Sequence, residues 1–219
     1  MARMPRLVVP GYPHHITQRG DRRMKTFFCE EDYLYYLDLL RDNKEEAEVD
    51  IWAYCLMPNH THIVAVPKQE DSLARLFSLV HRHYSRYINF REKWTGHLWQ
   101  ERFHSFVMDE QYLLATVRYV ELNPLRARLC AHLSEWPWSS YHSHISTIDD
   151  GVVSIEPMLE RVSNWREYID GKGAINDEGI RGHSQTGRPA GGAGFIEQLE
   201  VLTGRELTKK KPGPKPRVR

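Results

Sequence analysis

Cysteine is scarce: Cys29, Cys55 and Cys130 are the three among 219 residues, and they stand far apart. They form neither a CxxC pair nor an even set, which excludes a thiolate zinc site or a disulfide framework as the organising device. Long apolar runs are missing too. No stretch approaches the roughly 18 residues that a membrane span needs. Leu7-Val8-Val9-Pro10 is too short to be the apolar heart of a signal peptide, so a cytoplasmic protein with no membrane partner is expected. Net charge is also nearly absent, at +1. Spread evenly, that balance would speak against a nucleic-acid partner, but it is not even. Acids gather from Asp149 to Glu178, whereas Thr203 to Arg219 carries Arg205, Lys209, Lys210, Lys211, Lys215, Arg217 and Arg219 against Glu206 alone.

What is present is ordinary for a globular protein, with 41% hydrophobic and 27% charged residues and no internal repeat, enough for one core plus a small appendage or tail. Leu7 to Gln18 reads as a strand before the turn Arg19-Gly20-Asp21, and Tyr33, Leu34, Leu37 and Leu40 mark a helix over Glu31 to Ala47. Asp50 to Leu56 and His60 to Val66 make a hairpin around Met57-Pro58-Asn59. Ser72 is placed to cap a long helix whose stripe is Leu73, Leu76, Phe77, Val80, Tyr84, Tyr87 and Ile88. After a loop from Trp94 to Gln100, Arg102 to Met108 supplies a fourth strand, and Asp109 caps a helix from Glu110 to about Asn123, stopped by Pro124. This order predicts an α+β domain with a mainly antiparallel sheet and helices on one side, resembling a ferredoxin-like plait.

Beyond Arg126 the pattern weakens. Trp136 to Tyr141 is an aromatic turn and Leu159 to Ile169 a short helix. Gly171 to Gly194 reads as a linker before a helix near Phe195 to Leu202, and the Pro- and Lys-rich end as disordered without a ligand. The division is thus a catalytic domain over 1–145, an appended helical segment and linker over 146–203, and a basic flexible tail over 204–219.

Two residues apart on a strand, His60 and His62 project from one face and can share a metal; the plain alternative is a surface pair or hydrogen-bonded core histidines. Tyr119 and Asn123, four apart, lie one above the other on a helix, where the Asn oxygen suits Mg²⁺ or Mn²⁺ as a third ligand. Here the alternative is a semi-polar helix face packed on the sheet, with Asn-Pro as turn chemistry. A divalent ion so held would orient a phosphodiester for in-line attack, and a tyrosine nucleophile would conserve the bond energy as phosphotyrosine. A phenol, with a usual pKa of about 10, then needs help from a base or from the metal's field.

Met57-Pro58-Asn59-His60-Thr61-His62-Ile63-Val64, Leu98-Trp99-Gln100-Glu101-Arg102-Phe103-His104-Ser105 and Arg118-Tyr119-Val120-Glu121-Leu122-Asn123-Pro124-Leu125-Arg126-Ala127 together resemble the REP-associated tyrosine transposases, single-tyrosine members of the HUH class. Arg19-Gly20-Asp21-Arg22-Arg23 fits the same pattern, the likeness is close over about residues 7 to 142, and Leu202 to Arg205 with the basic tail resembles the family's C-terminal end. The resemblance implies a ferredoxin-like HUH domain with a helical C-terminal extension, His60, His62 and Asn123 as metal ligands, and Tyr119 as nucleophile. It also implies a single-stranded palindromic hairpin substrate with a short guide sequence at its foot; a monomer and a dimer on that DNA are both open. Thr61 stands where the motif expects a bulky apolar residue.

Arg19, Arg22, Arg23, Arg75, Arg82, Arg86 and Arg102, with Lys209, Lys210, Lys211 and Lys215, are the candidate phosphate contacts; the plain reading of the helix arginines is a solvated face. Trp94, Trp99 and Tyr141 either stack on unpaired bases or belong to the core, and His14, His15, His81, His83, His97 and His104 read as structural or surface residues. The function expected is metal-dependent cleavage and rejoining of single-stranded DNA. Its rivals are a catalytically inactive hairpin-repeat binder and a phosphodiesterase that uses water.

Overall fold

The structure, a computed structural model, describes residues 6–171, 175 and 177–208. Lys209, Lys210, Lys211 and Lys215 lie outside the described residues. Strand β1 (His14–Arg19) is followed by α1 (Glu30–Asn43), the hairpin β2 (Val49–Met57) and β3 (His60–Pro67), the long α2 (Ser72–Glu92), β4 (His104–Val107) and α3 (Glu110–Glu121). The strands form one antiparallel sheet in the order β2-β3-β1-β4. The α+β class and the antiparallel sheet are as expected. The first strand is shorter than the pattern suggested: residues 7–13 precede it, with Leu7 and Val9 in a separate small core.

Helices cover both faces of the sheet, not one side as the sequence order suggested. On one face, Ile16, Ile51, Leu56, Ile63 and Ala65 pack against α1 and α2, whose stripe of Leu73, Leu76, Phe77, Val80, Tyr84 and Ile88 is fully buried. At about 2 kcal/mol for each large apolar side chain, this stripe outweighs the modest intrinsic propensity of the helix. The opposite face carries Ala53, Cys55, Met57, Val64 and Phe106, which are equally apolar and need a cover of their own. Leu113, Val117 and Val120 of α3 supply it. Asp109 caps α3 by accepting from the Tyr112 N–H at 2.9 Å, as expected, whereas α2 is entered from Asp71, with Ser72 already in its first turn. Pro124 does not end a helix: α3 stops at Glu121, and Asn123–Arg126 forms a further short turn, α4.

The remaining chain wraps the sheet. It contains α5 (Tyr141–Ser146), α6 (Glu156–Leu159), α7 (Trp165–Asp170), α8 (Asp177–Thr186) and α9 (Ala193–Thr203). The outer edge of β2 is met by Leu56 N–H to Trp138 O at 2.8 Å and Ser140 N–H to Tyr54 O at 3.0 Å, and that of β4 by Ala190 N–H to Val107 O at 2.8 Å. Such cover removes the open edges on which stray strands would pair. The anchor of this wrapping is Glu121, wholly buried at the end of α3. Its carboxylate accepts from Ser140 Oγ at 2.6 Å, His144 Nδ1 at 2.7 Å and Trp165 Nε1 at 2.9 Å, which ties α5 and α7 to the helix that carries Tyr119. Residues 171–194, read from sequence as a linker, contain the ten-residue α8, which packs on β4, β1 and α3.

Two buried histidines are held neutral by this packing. His14 accepts the Val9 N–H on Nε2 at 3.1 Å and donates from Nδ1 to Tyr12 O at 2.8 Å; burial lowers its pKa to about 4. His81 lies 3.0 Å from the Tyr36 hydroxyl and is lowered to about 3, by burial first and then by the charge of Arg6. The unfolded chain takes up these protons near pH 6.5 and the folded chain only well below it. Stability is therefore expected to be full above about pH 6.5 and to fall on acidification by up to about 1.4 kcal/mol per pH unit for each histidine. Urea unfolding at pH 7.5 and pH 5 checks this, with a smaller difference expected for His81→Phe; equal differences in the two proteins would contradict it.

Candidate active site

Strand register assembles the site. Opposite residues of an antiparallel sheet share a face, so the pairs Arg19↔His60↔Met57 and Thr17↔His62↔Cys55 form successive rows on the face that α3 covers. The Pro58-Asn59 turn places His60 at the mouth of the hairpin. Gly20 makes the neighbouring turn possible: a Cβ there would lie 2.4 Å from Met24 O and 2.6 Å from the Thr26 methyl, and the Gly20 N–H donates to Asn59 O at 2.9 Å. The two histidine rings stand 4.8 Å apart, and the Tyr119 ring lies 5.6 Å from that of His62, edge to face. Tyr119 is 6% exposed, yet it lines a cavity of about 570 Å³ together with His60, His62, Asn123, Arg19 and Arg23. Thr61 points the other way, onto the Tyr36 hydroxyl in the opposite core.

The hydrogen bonds engage one nitrogen of each cavity histidine. With the Ser184 hydroxyl donating to Ile180 O at 3.1 Å, its oxygen is free to accept from His15 Nδ1, 3.4 Å away. His15 Nε2 is then bare and accepts from His62 Nδ1 at 3.0 Å, the two rings stacked within 5° of parallel. His60 Nδ1 donates to Asn59 Oδ1 at 2.7 Å. Both histidines are left with an Nε2 lone pair. Asn123 spends its Nδ2 on Tyr119 O at 3.1 Å, leaving Oδ1 as its donor atom. Burial, then the charge of Arg19, lowers His60 to about pKa 3; burial, reinforced by His60, His15 and nearby arginines, holds His62 well below its usual range. Neutral imidazoles are what a metal requires.

Among the described residues no group of three His, Cys, Asp and Glu could hold a metal ion, so an ion held by His60 and His62 would need a third protein donor of another type. The Asn123 amide oxygen, on the same cavity, would fit that need. Two imidazoles and one amide with room beside them suit a divalent ion that keeps open positions for substrate. His15, read from sequence as structural, is the ring that fixes His62; the signal was its place one row along β1, visible only once the register is known.

The candidate DNA contacts separate. Arg19 and Arg23 line the cavity, joined by Arg126 and Arg181, which sequence reasoning did not single out. Arg82 and Arg102 line a second cavity of about 680 Å³ beside α2, with Phe77, Trp99 and Phe103. Arg75 is paired with Glu48 at 2.8 Å and Asp71 at 3.4 Å, Arg22 lies near Asp21 at 3.8 Å, and Arg86 is exposed on α2 away from both cavities. Of the aromatics, Trp99 is buried, Tyr141 packs against the second core and Trp94 is 40% exposed.

A profile of the family described as Transposase IS200 like matches residues 9–123, more than half of the chain. The chain belongs to the IS200-like transposase family. The transposase-family match spans all four strands and ends at Asn123, the proposed ligand. A Haemophilus influenzae protein assigned to the REP-associated tyrosine transposases is 24% identical over 104 residues, covering 42% of this chain and 59% of that protein. The REP-associated tyrosine transposase of Escherichia coli K12 is 20% identical over 104 residues, covering 47% and 61%. The chain thus spans about three-fifths of the length of these curated relatives. The solved structure of a REP-associated tyrosine transposase bound to a REP hairpin superposes with a TM-score of 0.60 at 18% identity, over 81% of this chain and 94% of that one, so this transposase-family chain shares its fold. No helix among the described residues is long and apolar enough to cross a membrane.

Because His15 fixes the tautomer of His62, His15→Phe, which keeps the stacked ring but not the acceptor, is expected to weaken Mn²⁺ binding by roughly 10- to 100-fold. Isothermal titration with MnCl₂ measures it; unchanged affinity would contradict the assigned hydrogen-bond chain.

Proposed function

We propose that this chain is a cytoplasmic, metal-dependent strand transferase that binds single-stranded hairpin repeats and cuts and rejoins DNA through Tyr119. The observation that carries the reading is the meeting of the Tyr119 ring, the bare Nε2 atoms of His60 and His62, and the Asn123 amide in one arginine-lined cavity. The hairpin as substrate class rests on the relative bound to a REP hairpin and on the names of the two curated relatives.

His60, His62 and Asn123 would hold Mg²⁺ or Mn²⁺, and the ion, when bound, would polarise the scissile phosphodiester and offset its charge. Arg19 and Arg23 hold the DNA strand at the cavity through its phosphates. The Tyr119 oxygen attacks phosphorus in line, the bond from phosphorus to the 3′ oxygen breaks, and the 5′ end remains on Tyr119 as a phosphotyrosine diester. The phenolic proton passes to water and the departing 3′ oxygen takes one from water. The new bond keeps the energy of the old, so a later 3′ hydroxyl reverses the step and joins a different strand. The buried α3 holds Tyr119 on a rigid element, which limits the search for the in-line geometry. Arg82 and Arg102 supply a second cationic wall along which the strand continues, and the lysines of the tail add non-specific phosphate contacts.

Labelled hairpin DNA incubated with Mn²⁺ and run on a denaturing gel should yield a covalent protein–DNA adduct that is lost in Tyr119→Phe, while hairpin affinity changes less than about threefold. Cleavage that survives Tyr119→Phe would point to a water-using phosphodiesterase. Tight hairpin binding by the unaltered protein without any adduct would point to an inactive binder.

A further inference from the structure

Helix α8 lies beyond residues 9–123, yet Arg181, Ser184 and Gln185 line the cavity around Tyr119. Its sequence explains how. Asp177, Arg181 and Ser184 are spaced by four and three residues and so share one helical face. Asp177 pairs with Arg126 at 3.0 Å, Ser184 receives His15, and between them the Arg181 guanidinium lies beside Tyr119 in the cavity, its central carbon 6.0 Å from the ring centre. The adjoining face is locked down. Ile180 is 1% exposed in the core, and the His183 ring packs on Phe106 at 5.6 Å and Tyr112 at 5.2 Å. The backbone that carries Arg181 is thereby held beside the cavity.

We infer that Arg181 is a catalytic residue, delivered by α8 to the oxygen of Tyr119 that forms the bond to phosphorus. The inference rests on the strand-cleavage reading above. A guanidinium keeps its charge throughout the working pH range and does not take the phenolic proton. What it can do is stabilise the negative charge that grows on the tyrosine oxygen as that proton leaves for water, and afterwards bind the anionic oxygens of the phosphotyrosine diester. Arg126 also lies over the Tyr119 ring, at 5.3 Å, but its charge is turned to Asp177 and to the Tyr119 carbonyl, 3.1 Å away. The two arginines are therefore unequal: Arg126 is committed to Asp177 and the helix end, whereas Arg181 feels Tyr119 before Asp177 and Glu178 and is the one assigned to the reacting oxygen.

Single-turnover adduct formation, measured at saturating hairpin DNA and saturating Mn²⁺, distinguishes the possibilities. Arg181→Ala should slow it by about 100-fold with hairpin Kd changed less than about threefold, and Arg181→Lys should recover part of the rate. A rate for Arg181→Ala equal to that of a reactive unaltered protein refutes the role of Arg181 alone, as does a defect that saturating DNA abolishes, which would make Arg181 a phosphate-binding residue. An unaltered protein that forms no adduct refutes the cleavage reading and this role together. Arg181→Lys guards against misfolding, since it keeps the charge and length, and a thermal midpoint equal to the parent's with a slowed rate supports the assignment.

Discussion

The alternation of strand β3 is the constraint on which the site depends. Thr61, Ile63 and Ala65 are committed to the core beneath α1 and α2, so His60, His62 and Val64 must face α3. A slip of one residue in the pairing would set two imidazoles among the apolar side chains beneath α1 and α2 and turn Ile63 and Ala65 toward α3, and the mismatch on both faces holds the register. Because α3 is fastened by its own apolar stripe to the same face, that packing brings the tyrosine and the asparagine over the histidines. The cavity's arrangement is a consequence of where two hydrophobic faces are sealed.

Sealing the second face brings polar groups inside, and those nearest the site are paired. Glu121 has three donors, His62 has His15, and His15 has Ser184. An unanswered buried polar group costs about 1–3 kcal/mol, so these contacts fix the geometry more firmly than apolar packing would. They also join distant parts of the chain. The segment after residue 123 contributes every partner of Glu121, the terminal partner of the His62 chain, and Arg181. The cavity around Tyr119 is thus built by the matched region and finished by the chain beyond it.

Much of this was legible beforehand. Period-two patterning around Pro58-Asn59 gave the hairpin, Asp109 marked the start of α3, and the four-residue spacing of Tyr119 and Asn123 gave the shared face. Cover on both faces of the sheet had its own signal, the unbroken apolar run Ala53-Tyr54-Cys55-Leu56-Met57, which a strand with one wet face would not carry. Helix α8 was hidden because Gly179 and Gly182 lower its propensity and its polarity suits a loop; docking of Ile180 and His183 forms it. The fate of each arginine was hidden for a similar reason. Arg75 and Arg82 share a helix, yet ion pairs with Glu48 and Asp71 engage one, and a cavity receives the other, by tertiary contacts that spacing does not encode.

The central claim is that one divalent ion is held between His60, His62 and Asn123 within reach of Tyr119. Crystals grown with MnCl₂ and measured for anomalous scattering test it directly. The account predicts a single strong peak about 2.1–2.3 Å from the Nε2 atoms of both histidines and the Oδ1 of Asn123. A peak elsewhere in the molecule, with both Nε2 atoms bonded only to protein, would contradict it.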